Sequence, residues 1–324
     1  MDLSRSWSGW TCVVAALVLA GGCRKADKGG RAAPAAATAT TVDAGGGDAA
    51  PAKPTPPTPL TKKATKPGAA ALGHNALLPL GDLAAASAAA GRGRFVLRYD
   101  GSDSATRALV RQAGVLEKIL PQLNQSLRLP RDIAVVYAAC DEINAFYDPE
   151  AVTITMCDEY VDYYGELFAG YPADERQPAI LGAVVSTFLH EAGHALIHQL
   201  GLPTVGREED VADQLSTVIL VASGDEGNAL ALDGAYAFID ESEGEVDDTP
   251  YWDEHALNEQ RFYNTVCLIY GSDPEGWDDL VGEDDLPEER AEQCPDEYKQ
   301  ISTSWNRLLK PFLTVPTVRV KLGD

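Results

Sequence analysis

Strand-like segments precede helical ones along the folded part of this chain, and that order predicts an α+β domain, a small sheet followed by a mainly helical lobe. Three observations carry the prediction. β-branched and aromatic runs gather between residues 95 and 156, apolar stripes at helical spacing fill most of the chain beyond them, and a compositionally distinct N-terminus separates from the rest. Once that terminus is set aside, about 230 residues remain, enough for one domain with a substantial core.

Phe95–Tyr99 reads as the first strand, residues 104–127 as a helix and Ile133–Ala138 as a second strand. Residues 143–147 and 151–156 flank Asp148-Pro149-Glu150, whose turn chemistry makes them a hairpin. One of the two is expected at the sheet edge. Glu175-Arg176-Gln177-Pro178 opens a helix over residues 179–200, closed by Gly201 and Pro203. A second helix starts within residues 206–213 and runs to about Ser223, and a third starts at Pro250-Tyr251-Trp252-Asp253-Glu254-His255 and reaches Tyr270. Helices then continue to Leu309. The acidic clusters at residues 240–248 and 278–285 read as exposed loops without the spacing of a calcium-binding hand.

The helix over 179–200 carries His190-Glu191-Ala192-Gly193-His194 at its middle. Four residues apart on a helix, the two imidazoles point the same way, about 6 Å apart along the axis, and can share one metal ion. Glu191 sits beside them, where its carboxylate can take a proton from a zinc-activated water instead of ligating the ion. Ile180, Leu181, Val184, Val185, Phe188 and Leu189 precede the block, so the helix should be nearly buried, and buried imidazoles need partners.

A hydrolytic zinc site takes three protein ligands. His198 is two turns above His190, about 12 Å along the axis, too far to share an ion held at about 2 Å. It reads as a supporting or surface residue. The acids of Gly206-Arg207-Glu208-Glu209-Asp210-Val211-Ala212-Asp213 gather at a helix N-terminus, where the dipole favours them whatever their function. Glu209 and Asp213 are also i and i+4 on one face. Glu209 can therefore bind the metal while Asp213 orients a ligand imidazole, with Asp210, and after it Glu208, as the alternative third ligand.

An HExxH block followed after a short loop by an ExxxD helix resembles the thermolysin-like gluzincins. There the glutamate is the third zinc ligand and the aspartate supports a histidine. Together with Asp253-Glu254-His255-Ala256-Leu257-Asn258-Glu259-Gln260-Arg261-Phe262-Tyr263-Asn264, the blocks look more closely like an uncharacterised bacterial metallopeptidase family, over roughly residues 94–316. The resemblance implies a zincin-like fold, with a sheet and edge hairpin packed on the HExxH helix, and one catalytic Zn2+. The spacing from His194 to Glu209 is shorter than in thermolysin itself, which is why Asp210 stays open.

Attack on a carbonyl also needs a donor for the developing oxyanion. His255 is the first candidate and Tyr251 the second. Arg261, Tyr263 and Asn264 read as residues that pin their helix, with substrate contact as the alternative.

Residues 1–22 hold Arg5, a brief apolar run and Gly21-Gly22 ahead of Cys23, the pattern of a signal peptide and too short a run for a membrane span. Leu19-Ala20-Gly21-Gly22-Cys23 resembles a lipobox with its leucine one place early, which implies lipidation of Cys23. Residues 23–90 are rich in Ala, Pro, Thr, Gly and Lys and read as a flexible tether, leaving 91–324 as the enzyme-like domain. The expected location is the cell envelope, lipid-anchored or secreted. Export leaves Cys140, Cys157, Cys267 and Cys294 in an oxidising compartment. Cys140 and Cys157 flank the hairpin turn almost symmetrically, which predicts Cys140–Cys157 and Cys267–Cys294 disulfides.

The chain has a net charge of −23, and residues 1–70 hold nine Lys or Arg against four Asp or Glu, so the remainder is more acidic still. Such a domain repels nucleic acid and anionic lipid. The reading is an exported zinc metallopeptidase acting on a peptide or protein substrate and held at a membrane by its lipid anchor. Its rivals are a non-catalytic metal- or peptide-binding lipoprotein on the same fold, and a zinc hydrolase of a non-peptide substrate.

Overall fold

The computed structural model describes residues 91, 93–101, 104–244, 252–282 and 285–322. The expected signal segment 1–22, the tether with Cys23, and Tyr251 lie outside the described residues.

Strands β1 (Phe95–Tyr99), β2 (Ile133–Ala138), β3 (Ala145–Asp148) and β4 (Thr153–Cys157) form a four-stranded mixed sheet in the order β1-β2-β4-β3. β1 and β4 flank β2 in parallel, whereas β3 runs antiparallel to β4 at the edge. The expected hairpin is present, and its first strand is the edge strand. Asp148 Oδ1 accepts the backbone N–H groups of Glu150 and Ala151, which closes the turn. Ile133, Val135 and Tyr137 are buried and alternate with half-buried neighbours, so period-two patterning turns one face of the sheet inward.

Helices α1 (Ala105–Ala113) and α2 (Val115–Ser126) make the crossover from β1 to β2. A single helix over 104–127 is the sequence expectation; the chain divides it at Gly114, whose φ of 63° is left-handed. Such a residue ends α1 and lets the path turn before α2 begins. Arg107 of α1, fully buried, holds Asp158 at 2.6 Å and so anchors the start of α3 (Asp158–Leu167).

The central element is α4 (Ala173–Leu200), buried on nearly all sides from Ala179 onward. It starts ahead of the expected residue 179, because Pro178 is accommodated inside it and Asp174 and Glu175 favour its first turn. Gly201, with φ 60°, ends it, and the N–H of Leu202 bonds the carbonyl of Ile197. By length and composition α4 could cross a membrane, but it is a core helix: β3 and β4 pack on one side and α5 (Glu208–Val221) and α6 (Asp225–Gly244) on the other. Phe188 of α4 meets Phe95 of β1 edge-on, with ring centroids 6.3 Å apart.

Helices α7 (Asn258–Ser272), α8 (Glu288–Ala291) and α9 (Cys294–Leu309) complete the lobe, and α7 packs on α6 and α5. The helix expected from residue 250 begins only at Asn258. Asp253 Oδ1 accepts the N–H of His255 and turns the chain, and extended Leu257 gives its N–H to Gln260 Oε1 at 3.3 Å, which fixes the helix start. His255 therefore lies in a loop. The acidic clusters also depart from the loop expectation: residues 240–244 close α6, and Asp278–Leu280 form a single 3₁₀ turn.

Both expected disulfides are present, Cys140–Cys157 and Cys267–Cys294. The second ties α7 to the start of α9 across 27 residues. Replacing both of its cysteines by serine should destabilise the domain by roughly 3 kcal/mol in the chain-entropy account. A urea midpoint lowered by roughly 1–3 M, with a steeper slope because the uncrosslinked unfolded chain exposes more surface, is the expected reading.

Candidate metal centre

The helix–loop–helix from α4 to α5 brings the acids of α5 to the histidines of α4. The helices approach closely where the HExxH block itself has no side chain: a Cβ on Gly193 would lie 3.1 Å from Ala212 Cα. Small residues at both positions set the gap across which Glu209 reaches.

His190 Nε2 and His194 Nε2 are 3.1 Å apart, and Glu209 Oε2 is 3.1 Å from the first and 3.2 Å from the second. A tetrahedral ion with bonds of about 2.0–2.1 Å has ligand–ligand edges of roughly 3.3 Å, so this triangle has the size of one face of such a coordination shell. The outer ring nitrogens point away from it. His190 Nδ1 is 2.6 Å from Asp213 Oδ1, and His194 Nδ1 is 2.9 Å from Glu208 Oε1. Carboxylates only accept, so each Nδ1 carries a proton, and a neutral ring then turns its Nε2 lone pair inward. Two lone pairs and a carboxylate oxygen at this separation need a cation between them. The donor set fits a metal ion.

Protons compete with an ion for the same inward lone pairs. Burial works against charge on His190, yet Asp213 and Glu209 outweigh it and raise its pKa to about 9. His194 is likewise held up to about 10, with Glu208 and Glu209 overcoming burial. Burial alone would push Glu209 up, but contacts with His190, His194 and His255 hold its carboxyl far below the usual range. Asp213 is depressed for the same kind of reason: Arg261 and His190 outweigh its burial. Arg261 clamps it with two bonds, Nε to Oδ2 at 2.8 Å and Nη2 to Oδ1 at 2.9 Å, while its guanidinium covers the Phe238 ring at 4.0 Å.

Glu191 is buried on the same helix, and burial raises its pKa despite the histidines nearby. The backbone N–H of Tyr147 on β3 bonds its carboxylate. This follows from the hairpin register: Cys157 N–H bonds Asn144 C=O, so Phe146 and Asp148 face β4 and the backbone groups of Ala145 and Tyr147 face outward. The Tyr147 hydroxyl sits 2.9 Å from His198 Nδ1 and accepts from Gln199 Nε2 at 2.8 Å. His198 thus fastens the edge strand and stays out of the triangle, as its helical spacing required.

His255 does join the site. Its Nε2 is 2.9 Å from Glu209 Oε2, its Nδ1 is 3.3 Å from Asp253 Oδ1, and its ring stacks on His190 with centroids 6.3 Å apart. The Glu209 contact raises its pKa more than burial lowers it. Its side chain keeps 40% exposure, so a substrate can reach it. His190, Glu209 and His255 also offer ligand atoms within 4.8 Å of one another. Asp210 turns the other way and pairs with Arg207 at 3.5 Å. A cavity of about 350 Å³ opens beside His190 and Glu191 and runs inward between α3, α4, α5, α6 and α7.

Of the residues expected at the site, His190, Glu191, His194, Glu209, Asp213 and His255 converge, and Tyr251 is outside the described residues. Sequence reasoning placed Asp213 behind a ligand imidazole, where it meets His190, but missed the partners of the other two rings. Glu208 was weighed only as a ligand, and Asp253 went unassigned although Asp-x-His is a short-range pairing signal. Arg261 reads from sequence as pinning its helix, with substrate contact as the alternative, and it pins the helix through Asp213.

A family model described as "Putative metallopeptidase" matches residues 99–309. No curated protein and no solved structure matches the chain.

Because the rings hold protons at neutral pH, metal uptake must displace them, and affinity should strengthen as pH rises from 6 toward the raised values of about 9 and 10. Calorimetry at pH 7 in buffers of different ionisation heat should register release of about two protons per ion. Glu209→Ala should weaken metal binding by more than about a hundredfold, whereas Asp210→Ala should leave it within a few-fold.

Proposed function

The chain belongs to the family described as "Putative metallopeptidase", and from that premise we propose that it is an exported zinc-dependent peptidase with Glu191 as general base. One observation carries the reading: two imidazole nitrogens and a carboxylate oxygen at metal-ligand separation, with an unligated carboxylate next to them on α4.

His190, His194 and Glu209 hold the ion. Two nitrogens and one oxygen at these separations suit zinc, which takes three protein ligands at a hydrolytic site and leaves a position open. When bound, zinc supplies Lewis acidity, which polarises a carbonyl and acidifies water. Asp213, fixed by Arg261, and Glu208 orient the two imidazoles by accepting their Nδ1 protons.

Glu191 takes the proton of the attacking water and returns it to the leaving amine. Its raised pKa makes it a better proton acceptor than an exposed glutamate. The Tyr147 N–H keeps its carboxylate aimed. His255, its Nδ1 facing Asp253 and its charge favoured by Glu209, offers Nε2–H to the carbonyl oxygen as negative charge develops there. Tyr251 is the alternative donor.

An extended peptide can add to the edge strand β3, where the outward N–H and C=O of Ala145 border the cleft. This supports a peptide substrate over a small molecule. Export is part of the same proposal: a signal peptide over residues 1–22, lipidation at Cys23 and a tether to residue 90 would hold the domain at a membrane of the cell envelope. The two disulfides fit an oxidising compartment, and a charge of −23 disfavours nucleic acid as a partner.

The decisive variant is Glu191→Gln. It should keep zinc and the fold while cleavage of an unbiased peptide library falls by about 10²–10⁴-fold. Wild-type protein that holds zinc and cuts no better than the variant would sink the peptidase reading. Since burial raises Glu191 above 4.5, the base is protonated on the acid side and activity should climb with pH through that raised value. A pH–rate profile whose acidic limb lies at or below 4.5 would contradict this role.

A further inference from the structure

The cavity beside Glu191 is lined along much of its depth by hydroxyl groups, although it lies between core helices. Ser186 and Thr187 of α4, Ser216 and Thr217 of α5, and Tyr160 and Tyr164 of α3 all contribute. Most of their protons are already engaged. Ser216 donates to the carbonyl of Ser186 at 3.0 Å and Thr217 to that of Asp213 at 2.9 Å, so these oxygens have only lone pairs left to offer. Thr187 and Tyr164 are bonded at 2.7 Å, and both also bond Tyr160, so the three hydroxyl protons of that group are shared among its own three oxygens. Arg261, the cation on the wall, directs Nε and Nη2 to Asp213 and lays its plane on Phe238. At the mouth, Glu191, Asp213 and Asp253 are acidic, and the two imidazoles there, His190 and His255, face Asp213 and Glu209.

We propose that this recess is the specificity pocket and that it takes a substrate side chain rich in hydrogen-bond donors, an amide or an amino or guanidino group. The proposal rests on the peptidase reading above and names its substrate class. The position follows from continuity, since the same cavity is lined by His190, Glu191 and Ala145 of the edge strand. A peptide paired along β3 with its scissile bond at Glu191 directs a neighbouring side chain into it. At about 350 Å³ the recess has room for the longest of these side chains. An apolar guest would cover the hydroxyl oxygens without giving them partners, and a carboxylate would meet lone pairs and like charge. A donor-bearing side chain satisfies both.

The test pairs binding with turnover. Full-length, zinc-loaded protein is titrated with four dipeptide hydroxamates that differ only in carrying a glutamine, lysine, leucine or glutamate side chain, and is assayed on the matching peptides. Glutamine and lysine compounds should bind at least about tenfold more tightly than the leucine and glutamate ones, because discrimination by hydrogen bonds exceeds that by size. The Thr187→Val/Ser216→Ala double variant should lose most of that advantage while its affinity for the leucine compound holds or rises. Circular dichroism checks its fold, and Ser216→Ala alone replaces it if the double variant does not fold. Binding that shows the preference without cleavage of any peptide keeps the pocket and removes the peptidase reading. Equal binding of the four, no binding, or a preference for leucine or glutamate overturns the pocket assignment.

Discussion

Two imidazole nitrogens and one carboxylate oxygen, packed within 3.2 Å of each other with their ring protons turned outward, form an arrangement that is unfavourable unless a cation joins it. Everything around the site maintains that crowding. Helix α4 supplies two of the three atoms from successive turns, and its burial fixes where they point. The Gly193–Ala212 contact lets α5 come near enough to supply the third. Outside the triangle, carboxylates meet the outer ring nitrogens, and Arg261 holds one of those carboxylates in turn. Each layer satisfies the polar groups of the layer inside it, as a buried polar network must.

The outer layer also divides labour between two acids of similar position. Glu209 and Asp213 share a face of α5, yet one points into the triangle and the other behind it. Burial would raise both carboxyls, and cationic or proton-bearing neighbours overturn that for each. At Glu191 the two histidines and the Tyr147 N–H pull the same way but fall short, and burial prevails. Three acids within one site thus reach opposite protonation tendencies from neighbours alone, which is what separates a ligand and its support from a base.

Much of the site was legible in the sequence, because it is built from short-range helical spacings. His190 to His194 and Glu209 to Asp213 are each one turn, and a turn of helix fixes which side chains share a face without reference to the rest of the fold. The hairpin and its disulfide were equally local. The sequence was less informative wherever a boundary depended on a single backbone conformation. Gly114 divides a predicted helix because its φ is left-handed, and Asp253 delays a predicted helix by capturing the N–H of His255. Nor could periodicity say that β3 would be the strand at the edge, since that depends on which neighbours β2 acquires. The partners of Glu208 and Arg261 stayed hidden for a related reason: they are set by the approach of separate helices.

The loop between α4 and α5 has a consequence for the order in which the molecule can be built. His194 and Glu209 are only 15 residues apart, and His190 and Asp213 only 23, whereas the Arg261 clamp on Asp213 spans 48. The entropy lost in closing a loop grows with the logarithm of its length, so the triangle and its first support lie within one helical hairpin of low contact order. The ion-holding unit is therefore the part of this topology with the least chain to search. The clamp from α7 and the loop bearing His255 close around it over longer distances in sequence.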